Sequence, residues 1–227
     1  GFTEAGAEIA VLEKDRELGE QLRQRFKNEV SVWDCDISDP VSVESALSQI
    51  RNNGFSPDVL INNAGVIHSE PLVNITKKDD SLHSVDSWRS VLSTNLDGVF
   101  YVTRVVTGEM VKRRCKGVVI SLSSISAAGN KGQSAYSAAK AGVNALTKTW
   151  AKELGAFGLR FAAIAPGFID TPSTSASVSK DQLQLLRAQI PLRKLGQAEN
   201  VYLAARAIVE NDYITGTIIE VDGGLVL

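Results

Sequence analysis

A tyrosine and a lysine lie four residues apart in the stretch SAYSAAKAG, where small, helix-favouring residues surround Tyr136 and Lys140. At this spacing both side chains leave the same face of a helix. A free phenol has a pKa of about 10 and is a poor base at neutral pH, but a neighbouring ammonium favours its ionised form. The pair therefore suggests acid–base chemistry, although the same spacing also arises by chance on an amphipathic helix with a solvated lysine.

The composition is that of an ordinary globular protein, and it argues against several classes of function. The 227 residues are 44% hydrophobic and 22% charged, with a formal net charge of −2. Such a chain buries a substantial core without disulfides, and it has no broad basic field of the kind that attracts nucleic acid or anionic membranes. No apolar run approaches the length of a membrane span. We expect a single domain over residues 1–227, with neither nucleic acid nor a membrane as a partner.

Cysteine and histidine are too sparse and too scattered to suggest a metal site. Cys35 and Cys115 form no CxxC pair, and His68 and His83 belong to no HExxH pattern. We interpret the histidines as loop residues and expect no bound metal. The cysteine usage favours a reducing, cytoplasmic location.

Strand and helix patterns alternate along the chain. Apolar runs of strand length are AEIAVLE, VSVWDCD, DVLINNAG, GVVISLSS, RFAAIAPG and GTIIEVDGG. Helix patterns between them are a charged stretch from Asp15 to Asn28, a helix opened by Ser38, Asp39 and Pro40, one around Trp88 to Arg113, the helix of Tyr136, and one near Glu199 to Glu210. Near-continuous apolar strands separated by helices predict an α/β domain with a doubly wound, Rossmann-like parallel sheet.

Polar and turn-forming residues follow five of the predicted strands. They are Glu13, Asp36, Asn62, Asn63, Ala64, Gly65, Ser123, Ser124, Pro166 and Gly167. Each type is common in ordinary turns, so one position alone indicates little. In a parallel sheet, however, ligands bind beyond the carboxyl ends of the strands. Five such strand ends on one edge favour a binding site there.

Several motifs occur in the order and spacing of a known family. They are NNAG at 62–65, STNLDG at 93–98, SLSS at 121–124, YSAAK at 136–140 and PGFIDT at 166–171. With them the chain resembles the short-chain dehydrogenases/reductases from residue 1 to the DGG at 222–224. The stretches GNKGQSAYSAAKAG and DQLQLLRAQIPLRKLG look most like the 3-oxoacyl-[acyl-carrier-protein] reductases. The resemblance implies hydride transfer between a nicotinamide cofactor and a carbonyl group or secondary alcohol.

The resemblance implies catalytic roles for four residues. Tyr136 would protonate a carbonyl oxygen during reduction or deprotonate an alcohol during oxidation, while Lys140 would favour the phenolate and bind the nicotinamide ribose. Ser124 would hold the substrate oxygen. Asn95 would hold a water that links Lys140 to solvent, unless it only kinks its helix or makes an interhelical hydrogen bond. The distance back from Tyr136 would suit Ser123, but the count along the rigid strand favours Ser124.

The dinucleotide cofactor would lie along the same edge of the sheet. The resemblance places Asp36 and Ile37 at the adenine, Asn63, Ala64 and Gly65 under the adenosine, and Ile169 and Thr171 at the carboxamide, next to Pro166 and Gly167. The Glu13 carboxylate would accept hydrogen bonds from ribose hydroxyls and repel a 2′-phosphate, which favours NAD(H). Lys14 would offset that repulsion, and carrier-protein reductases usually take NADPH, so NADP(H) stays an alternative.

Three internal features depart from the family pattern. Phe157 stands where the carrier-protein reductases can carry a docking arginine, which weakens the case for an acyl-carrier protein as partner but leaves Arg113 and Arg114 as candidate anionic contacts. Ala162 replaces a usual asparagine. The segment between NNAG and the next helix, residues 66–88, is longer than usual, and its polar character favours disorder or an oligomer contact as much as a substrate role.

The beginning of the chain departs most from the family. GFTEAGAEIAVLE resembles the end of the first helix and the second strand, so the first strand and its glycine-rich phosphate turn fall outside the given residues. We expect further residues upstream of Gly1 in the natural protein. In the family's arrangement, Ile9–Leu12 would then stand about 9.5 Å from Val59–Asn62, without pairing directly.

Three functions remain open at this point. The first is an oxidoreductase for a small-molecule carbonyl or alcohol, including reduction of 3-oxoacyl thioesters. The second is an NAD-dependent sugar, polyol or other secondary-alcohol dehydrogenase, and the third is a catalytically silent binding or scaffold protein. Because tetramers are common in the family, we expect a homotetramer or homodimer. The helical stripe of Ala139, Val143, Leu146, Trp150 and Leu154 fits a domain core or a subunit interface.

Overall fold

The computed structural model describes residues 1–76, 79, 81–171 and 180–225. Its strands are β1 (Ile9–Glu13), β2 (Val30–Asp34), β3 (Val59–Asn62), β4 (Gly117–Leu122), β5 (Leu159–Pro166), β6 (Ile169–Asp170), β7 (Gly196–Gln197) and β8 (Thr217–Val221). Its α-helices are α1 (Arg16–Phe26), α2 (Pro40–Asn52), α3 (Val85–Leu92), α4 (Gly98–Lys112), α5 (Ser134–Leu154), α6 (Lys180–Gln189) and α7 (Ala198–Glu210). All six predicted strands are present.

The strands form a parallel arrangement that matches the expected class. Four strands pair in the order β3-β4-β5-β8, all parallel, while β1 and β2 form a separate parallel pair. The short strands β6 and β7, which the sequence did not predict, pair beyond the end of β5. Within the described residues β1 and β3 do not pair with each other, as expected for the family's arrangement.

Helices cover both faces of the four-stranded sheet, and β4 shows how. Val119 joins a cluster that includes Val106 of α4. Its neighbours Val118 and Ile120 join a second cluster that includes Ile208 of α7. Because successive strand residues point to opposite faces, this alternation places α4 and α7 on opposite sides. The doubly wound α/β prediction is confirmed.

Side-chain caps fix where three helices begin. The Asp15 carboxylate accepts from two backbone amides at the start of α1, and the Asp39 carboxylate accepts from the Val41 amide at the start of α2, whose first residue is Pro40. The Ser84 hydroxyl caps α3. These caps satisfy amides that have no partner within the helix. They also hold the preceding strand-to-helix turns at the edge where ligands are expected.

The helix predicted around Trp88 to Arg113 is interrupted. It ends as α3 at Leu92, continues as a π-helical turn over Ser93–Asp97, and resumes as α4. Asn95 in this turn is fully buried. Its Nδ2 donates to the Val66 carbonyl at 2.8 Å, and its Oδ1 accepts from the Val66 amide at 3.0 Å. Such π-turns contain an additional residue and occur often at functional sites.

Candidate active site

A cleft at the carboxyl ends of β4 and β5 contains the tyrosine of the YSAAK motif. It is lined by Ile67, Ser123, Ser124, Ile125, Ser126, Asn130, Gln133, Tyr136, Pro166, Gly167, Phe168, Ile169 and Thr171. Residues from the SLSS, YSAAK and PGFIDT motifs therefore line one cleft. This is the edge of the sheet at which the sequence predicted a site.

The phenol of Tyr136 is protonated at neutral pH in this environment. Burial raises its pKa, and a hydrogen bond with the Ser124 side chain opposes that rise. The ammonium of Lys140 lies 5.6 Å from the centre of the tyrosine ring. The sequence predicted that the lysine would lower the pKa of the phenol, whereas in the structure burial has the larger effect. A protonated phenol in contact with Ser124 is suited to donate a proton.

Lys140 is buried more deeply than a solvated helix lysine would be. Only 4% of the residue is exposed, and its Nζ donates to the carbonyl of Leu122 at 2.5 Å. Burial lowers its pKa from 10.5 to about 8. The chance interpretation of the Tyr–Lys spacing, which required a solvated lysine, does not describe this pair.

The two serines at the end of β4 have different surroundings. Ser123 is 4% exposed, and its hydroxyl donates to the main-chain carbonyl of Lys140 at 3.4 Å. The Ser124 hydroxyl accepts from the Ser126 amide at 3.1 Å and is hydrogen-bonded to the Tyr136 side chain. Contact with the phenol supports Ser124 as the residue that would hold a substrate oxygen.

Gly65 allows the chain after β3 to pack closely against the π-helical turn and α5 behind the cleft. A Cβ at this position would lie 2.6 Å from Asn95 Oδ1 and 3.8 Å from Lys140 Nζ. Both polar groups of the Asn95 side chain are hydrogen-bonded to the Val66 backbone. The structure therefore shows Asn95 as a bridge between its helix and the chain after β3. Its proposed role in holding a water stays a prediction.

The carboxylates expected near the adenosine have partners in the protein. Glu13 Oε1 accepts from the Asp15 amide at 2.9 Å. Asp36 accepts from the amide of Ser38 at 2.9 Å and from its hydroxyl at 2.7 Å, and these bonds lower the pKa of Asp36. Lys14 Nζ lies 3.7 Å from the Asp36 carboxylate. The cation at this edge is therefore directed toward Asp36.

Small residues at the edge leave room for a flat ligand. Asn63, Ala64 and Gly65 are exposed at the end of β3. A Cβ on Gly98 would lie 2.9 Å from Ile37, and one on Gly167 would lie 2.8 Å from Asp222 Cα. Glycine thus permits close packing at the predicted adenine and nicotinamide ends. Exposed backbone and a buried lysine donor fit a nicotinamide dinucleotide along these strand ends.

Sequence reasoning missed part of the cleft. The lining residues that were not predicted are Ile67, Ile125, Ser126, Asn130, Gln133 and Phe168. Ile67 stands two residues after the NNAG motif and Phe168 lies within PGFIDT, so adjacency to a motif was the available signal. Asn130 and Gln133 come from the turn before α5, whose path depends on tertiary contacts.

Arg113 and Arg114, the candidate anionic contacts, do not line this cleft. Arg113 donates to the Pro57 carbonyl at 2.7 Å and lies 3.9 Å from Asp58. It is engaged rather than available as the anionic contact that the sequence suggested. Both arginines precede the amino end of β4, whereas the cleft is at its carboxyl end. Phe157 is 58% exposed.

Comparison with known proteins agrees with this geometry. The family model described as enoyl-(acyl carrier protein) reductase matches residues 1–226. The chain belongs to the short-chain dehydrogenase/reductase family. It is 34% identical over 231 residues to the 3-oxoacyl-[acyl-carrier-protein] reductase FabG of Thermotoga maritima, covering 100% of this chain and 90% of that protein. It is also 33% identical to human (3R)-3-hydroxyacyl-CoA dehydrogenase over 235 residues, covering 97% of this chain and 86% of the relative.

Solved structures of short-chain dehydrogenases/reductases have the same fold. A gluconate 5-dehydrogenase from Burkholderia cenocepacia, in complex with NADP and tartrate, superposes with a TM-score of 0.88 at 27% identity. The match covers 98% of this chain and 87% of that one. Membership of this family makes the protein an NAD(P)-dependent oxidoreductase that acts on a carbonyl group or a secondary alcohol.

Proposed function

We propose that the protein reduces the 3-oxo group of an acyl thioester to a 3-hydroxyacyl thioester. The observation that carries this proposal is the protonated Tyr136 beside Ser124 in a cleft that also contains Ile67, Ile125 and Phe168. An acyl chain suits such apolar neighbours better than a polyol does. Similarity to a 3-oxoacyl-[acyl-carrier-protein] reductase along the whole chain supports the same substrate class.

In this reaction the protein positions the carbonyl group and supplies a proton. When bound, the reduced nicotinamide supplies the hydride that adds to the carbonyl carbon. Ser124 donates a hydrogen bond to the carbonyl oxygen, where negative charge develops, and Tyr136 transfers its phenolic proton to that oxygen. The C=O π bond is thereby replaced by one C–H and one O–H bond. The Lys140 ammonium stabilises the tyrosinate that remains.

The test is a substrate comparison with purified protein. Acetoacetyl-CoA and a longer 3-oxoacyl-CoA should be reduced, with loss of reduced-nicotinamide absorbance and formation of the 3-hydroxy product.

A second candidate is a sugar-acid dehydrogenase, because the gluconate 5-dehydrogenase superposes closely. Preference for 5-ketogluconate over both thioesters would favour this alternative. Binding of cofactor without turnover of any carbonyl would instead favour the silent binding protein.

We propose NAD(H) as the preferred cofactor. Glu13 is fixed at the end of β1 by the Asp15 amide, whereas Lys14 is directed toward Asp36. The Glu13 carboxylate is therefore better placed than the Lys14 ammonium to meet the adenosine ribose. A carboxylate there disfavours a 2′-phosphate. NADH should give a higher kcat/KM than NADPH, and Glu13→Ala should lower the NADH-to-NADPH ratio of kcat/KM by about tenfold. Higher kcat/KM with NADPH in the unchanged protein would contradict the assignment.

We propose a cytoplasmic homotetramer or homodimer of one nucleotide-binding domain. The described residues contain no helix of the length and apolarity needed to cross a bilayer. Ala139 and Val143 are buried in the domain, so the helical stripe is partly core. Phe100, by contrast, is 42% exposed in a groove between α4 and α5 that also contains Trp150. Light scattering at micromolar concentration should show an oligomer, and Phe100→Glu should weaken it; a monomeric mass would contradict this proposal.

Acyl-carrier protein is less favoured than coenzyme A as the carrier of the acyl group. Phe157 stands where related reductases can carry a docking arginine, and Arg113 is engaged with the Pro57 carbonyl, which weakens the case for a carrier contact. A coenzyme A thioester and the same acyl group on a carrier protein should therefore have similar kcat/KM values. A value more than about tenfold higher for the carrier-bound substrate would show a dedicated carrier contact.

A further inference from the structure

The described part of the 66–88 segment contributes Ile67 to the active-site cleft. Ile67 lines the cleft together with Ser124 and Tyr136, and 68% of Ile67 is exposed. An apolar side chain that is both exposed and beside the reacting groups is available to contact a substrate. What holds Ile67 in place therefore affects which substrates fit.

Two contacts tie the segment to the turn before α5. The Glu70 amide donates to the Gly132 carbonyl at 2.7 Å, and Gln133 Nε2 donates to the Ser69 hydroxyl at 3.4 Å. Gly132 and Gln133 directly precede the helix that begins at Ser134 and contains Tyr136. The segment is thus attached to the part of the chain that sets the start of the catalytic helix.

The carboxylate of Glu70 joins the outgoing and returning parts of the segment. Glu70 Oε2 accepts from the Ser84 amide at 3.0 Å and lies 3.2 Å from His68 Nε2. His83 Nδ1 lies 3.5 Å from the same oxygen and donates to the Ser84 carbonyl at 2.9 Å. The Ser84 amide is the main cause, and His68 the next, of a lowered pKa for Glu70. One carboxylate therefore fixes residues on both sides of the segment and the start of α3.

Burial of apolar side chains does not hold this segment. Leu72, Val73, Ile75 and Leu82 are 70%, 50%, 91% and 66% exposed. A segment with so little buried apolar surface opens at low cost unless polar contacts fix it. His83, in contrast, has a side chain that is 7% exposed, and its ring packs edge-on against Trp88 at 6.5 Å. The described part of the segment is therefore held mainly by polar contacts: those of Ser69 and the Glu70 amide to the turn before α5, and those of the Glu70 carboxylate within the segment.

A metal site is not the better explanation of the cluster of His68, Glu70 and His83. Among the residues that the structure describes, no three carboxylate, imidazole or thiol side chains are arranged to hold a metal ion. His83 Nδ1 is already used on the Ser84 carbonyl. The cluster is consequently a set of hydrogen bonds centred on one carboxylate.

We propose that Glu70 is a positioning residue for substrate: its carboxylate joins the outgoing and returning parts of the 66–88 segment, whose Glu70 amide is bonded to the turn before α5, and it thereby sets Ile67 as an apolar contact in the cleft. Contact with an acyl chain rests on the proposed thioester reduction. Glu70 does not touch the reacting atoms and acts through Ile67 and the segment. Its loss should therefore weaken substrate binding much more than it slows the chemical step.

The first measurement needs no substrate. Hydrogen–deuterium exchange should be faster in Glu70→Ala than in the unchanged protein at residues 66–76 and 81–84, and at the turn 130–133. Glu70→Gln keeps an acceptor for the Ser84 amide, so its exchange rates should lie between those of the unchanged protein and those of Glu70→Ala. Glu20→Ala, which removes an exposed carboxylate of α1, is the matched control and should leave these amides unchanged. Equal exchange in Glu70→Ala and Glu20→Ala would overturn the proposal.

The second measurement separates binding from chemistry. With whichever carbonyl substrate the unchanged protein reduces, Glu70→Ala should raise KM about tenfold and change kcat less than about twofold. Ile67→Ser should raise KM for a longer 3-oxoacyl-CoA by about tenfold but much less for acetoacetyl-CoA. An unchanged KM, or a fall in kcat alone, would overturn positioning by Glu70. Reduction of a sugar acid and of no thioester would refute the proposed function, while the exchange result and the KM ratio of Glu70→Ala would still decide the role of Glu70.

Discussion

The two sides of the catalytic cleft are held in place by different interactions. On one side, Ser124 follows a strand whose residues Val119 and Ile120 are buried on both faces of the sheet. On the other side, Ile67 belongs to a segment whose apolar side chains are exposed and which is held by polar contacts of Ser69 and Glu70. Chemistry therefore resides on the part fixed by the core, and substrate contact on a part fixed by a few polar bonds. Changes on the first side should affect stability and turnover, and changes on the second should affect substrate range.

The largest effect is expected from Tyr136→Phe on the sheet side. Removing the phenolic hydroxyl removes the proton donor, so kcat should fall by about 10²–10⁴. The ring stays in place, so the melting temperature and cofactor affinity should change little. Steady-state kinetics and cofactor titration check this. Near-normal turnover with any accepted substrate would exclude Tyr136 as the acid.

Lys140→Met tests the buried ammonium on the same side. Burial lowers the pKa of Lys140 to about 8, so between about pH 8 and its usual pKa the unfolded chain binds a proton that the folded chain does not. Stability from this group therefore rises with pH in that window, and the full cost of burial applies below pH 8. The variant should be more stable at pH 7 by up to about 3 kcal/mol, although its turnover should be very low.

The comparison is made by urea unfolding at pH 7 and pH 9. Burial raises the pKa of Tyr136 and of Cys35, which reduces stability at high pH. Both groups remain in the variant, so the difference between the two proteins isolates Lys140. Identical pH dependence in both proteins would mean that the ammonium is well solvated.

Gly65→Ala acts where the two sides meet. The added methyl group would press on Asn95 Oδ1 and disturb its bonds to Val66. We expect a loss of about 1–3 kcal/mol in the free energy of unfolding. Gly155→Ala is the matched control, because its helical backbone has φ −59° and nothing lies within 4 Å of the new Cβ. Equal stability of both variants would show that Asn95 gives way easily.

The smallest effect is expected on the segment side. Ile75 is 91% exposed, so Ile75→Ser should change the free energy of unfolding by less than about 0.5 kcal/mol. Ile120 is fully buried, so Ile120→Ala should cost about 2–5 kcal/mol. Thermal unfolding of the two variants measures the contrast directly. A comparable loss in Ile75→Ser would show that the segment is held by apolar packing after all.

The fold and the sheet side of the cleft were predictable because their signals are local. Apolar runs placed the strands, and the motifs placed Ser124, Pro166 and Gly167 at strand ends and Tyr136 on the helix between two of the strands. Gly65 was placed beside them by the same reasoning. These residues are positioned by the strand or helix that contains them, so sequence spacing determines which edge of the sheet they reach.

The segment side was not predictable, because its contacts join distant parts of the chain. His68 and His83 were interpreted as ordinary loop residues, yet both approach Glu70. The π-turn around Asn95 depends on hydrogen bonds to Val66, which lies 29 positions away. The raised pKa of Tyr136 likewise depends on burial, which a helical spacing cannot reveal.

The π-turn also acts as a phase correction between two helices. Each residue of an α-helix turns the chain by about 100°, so one more residue in regular helix would rotate α4 by that angle relative to α3. The wider turn over Ser93–Asp97 absorbs the additional residue, and Val91 of α3 and Val102 of α4 are both buried. Deletion of one residue from the turn would therefore produce a more regular helix whose two halves keep nearly the same relative orientation. The π-turn thus adds the residue needed for the Asn95 contacts with Val66 without turning either apolar face away from the core.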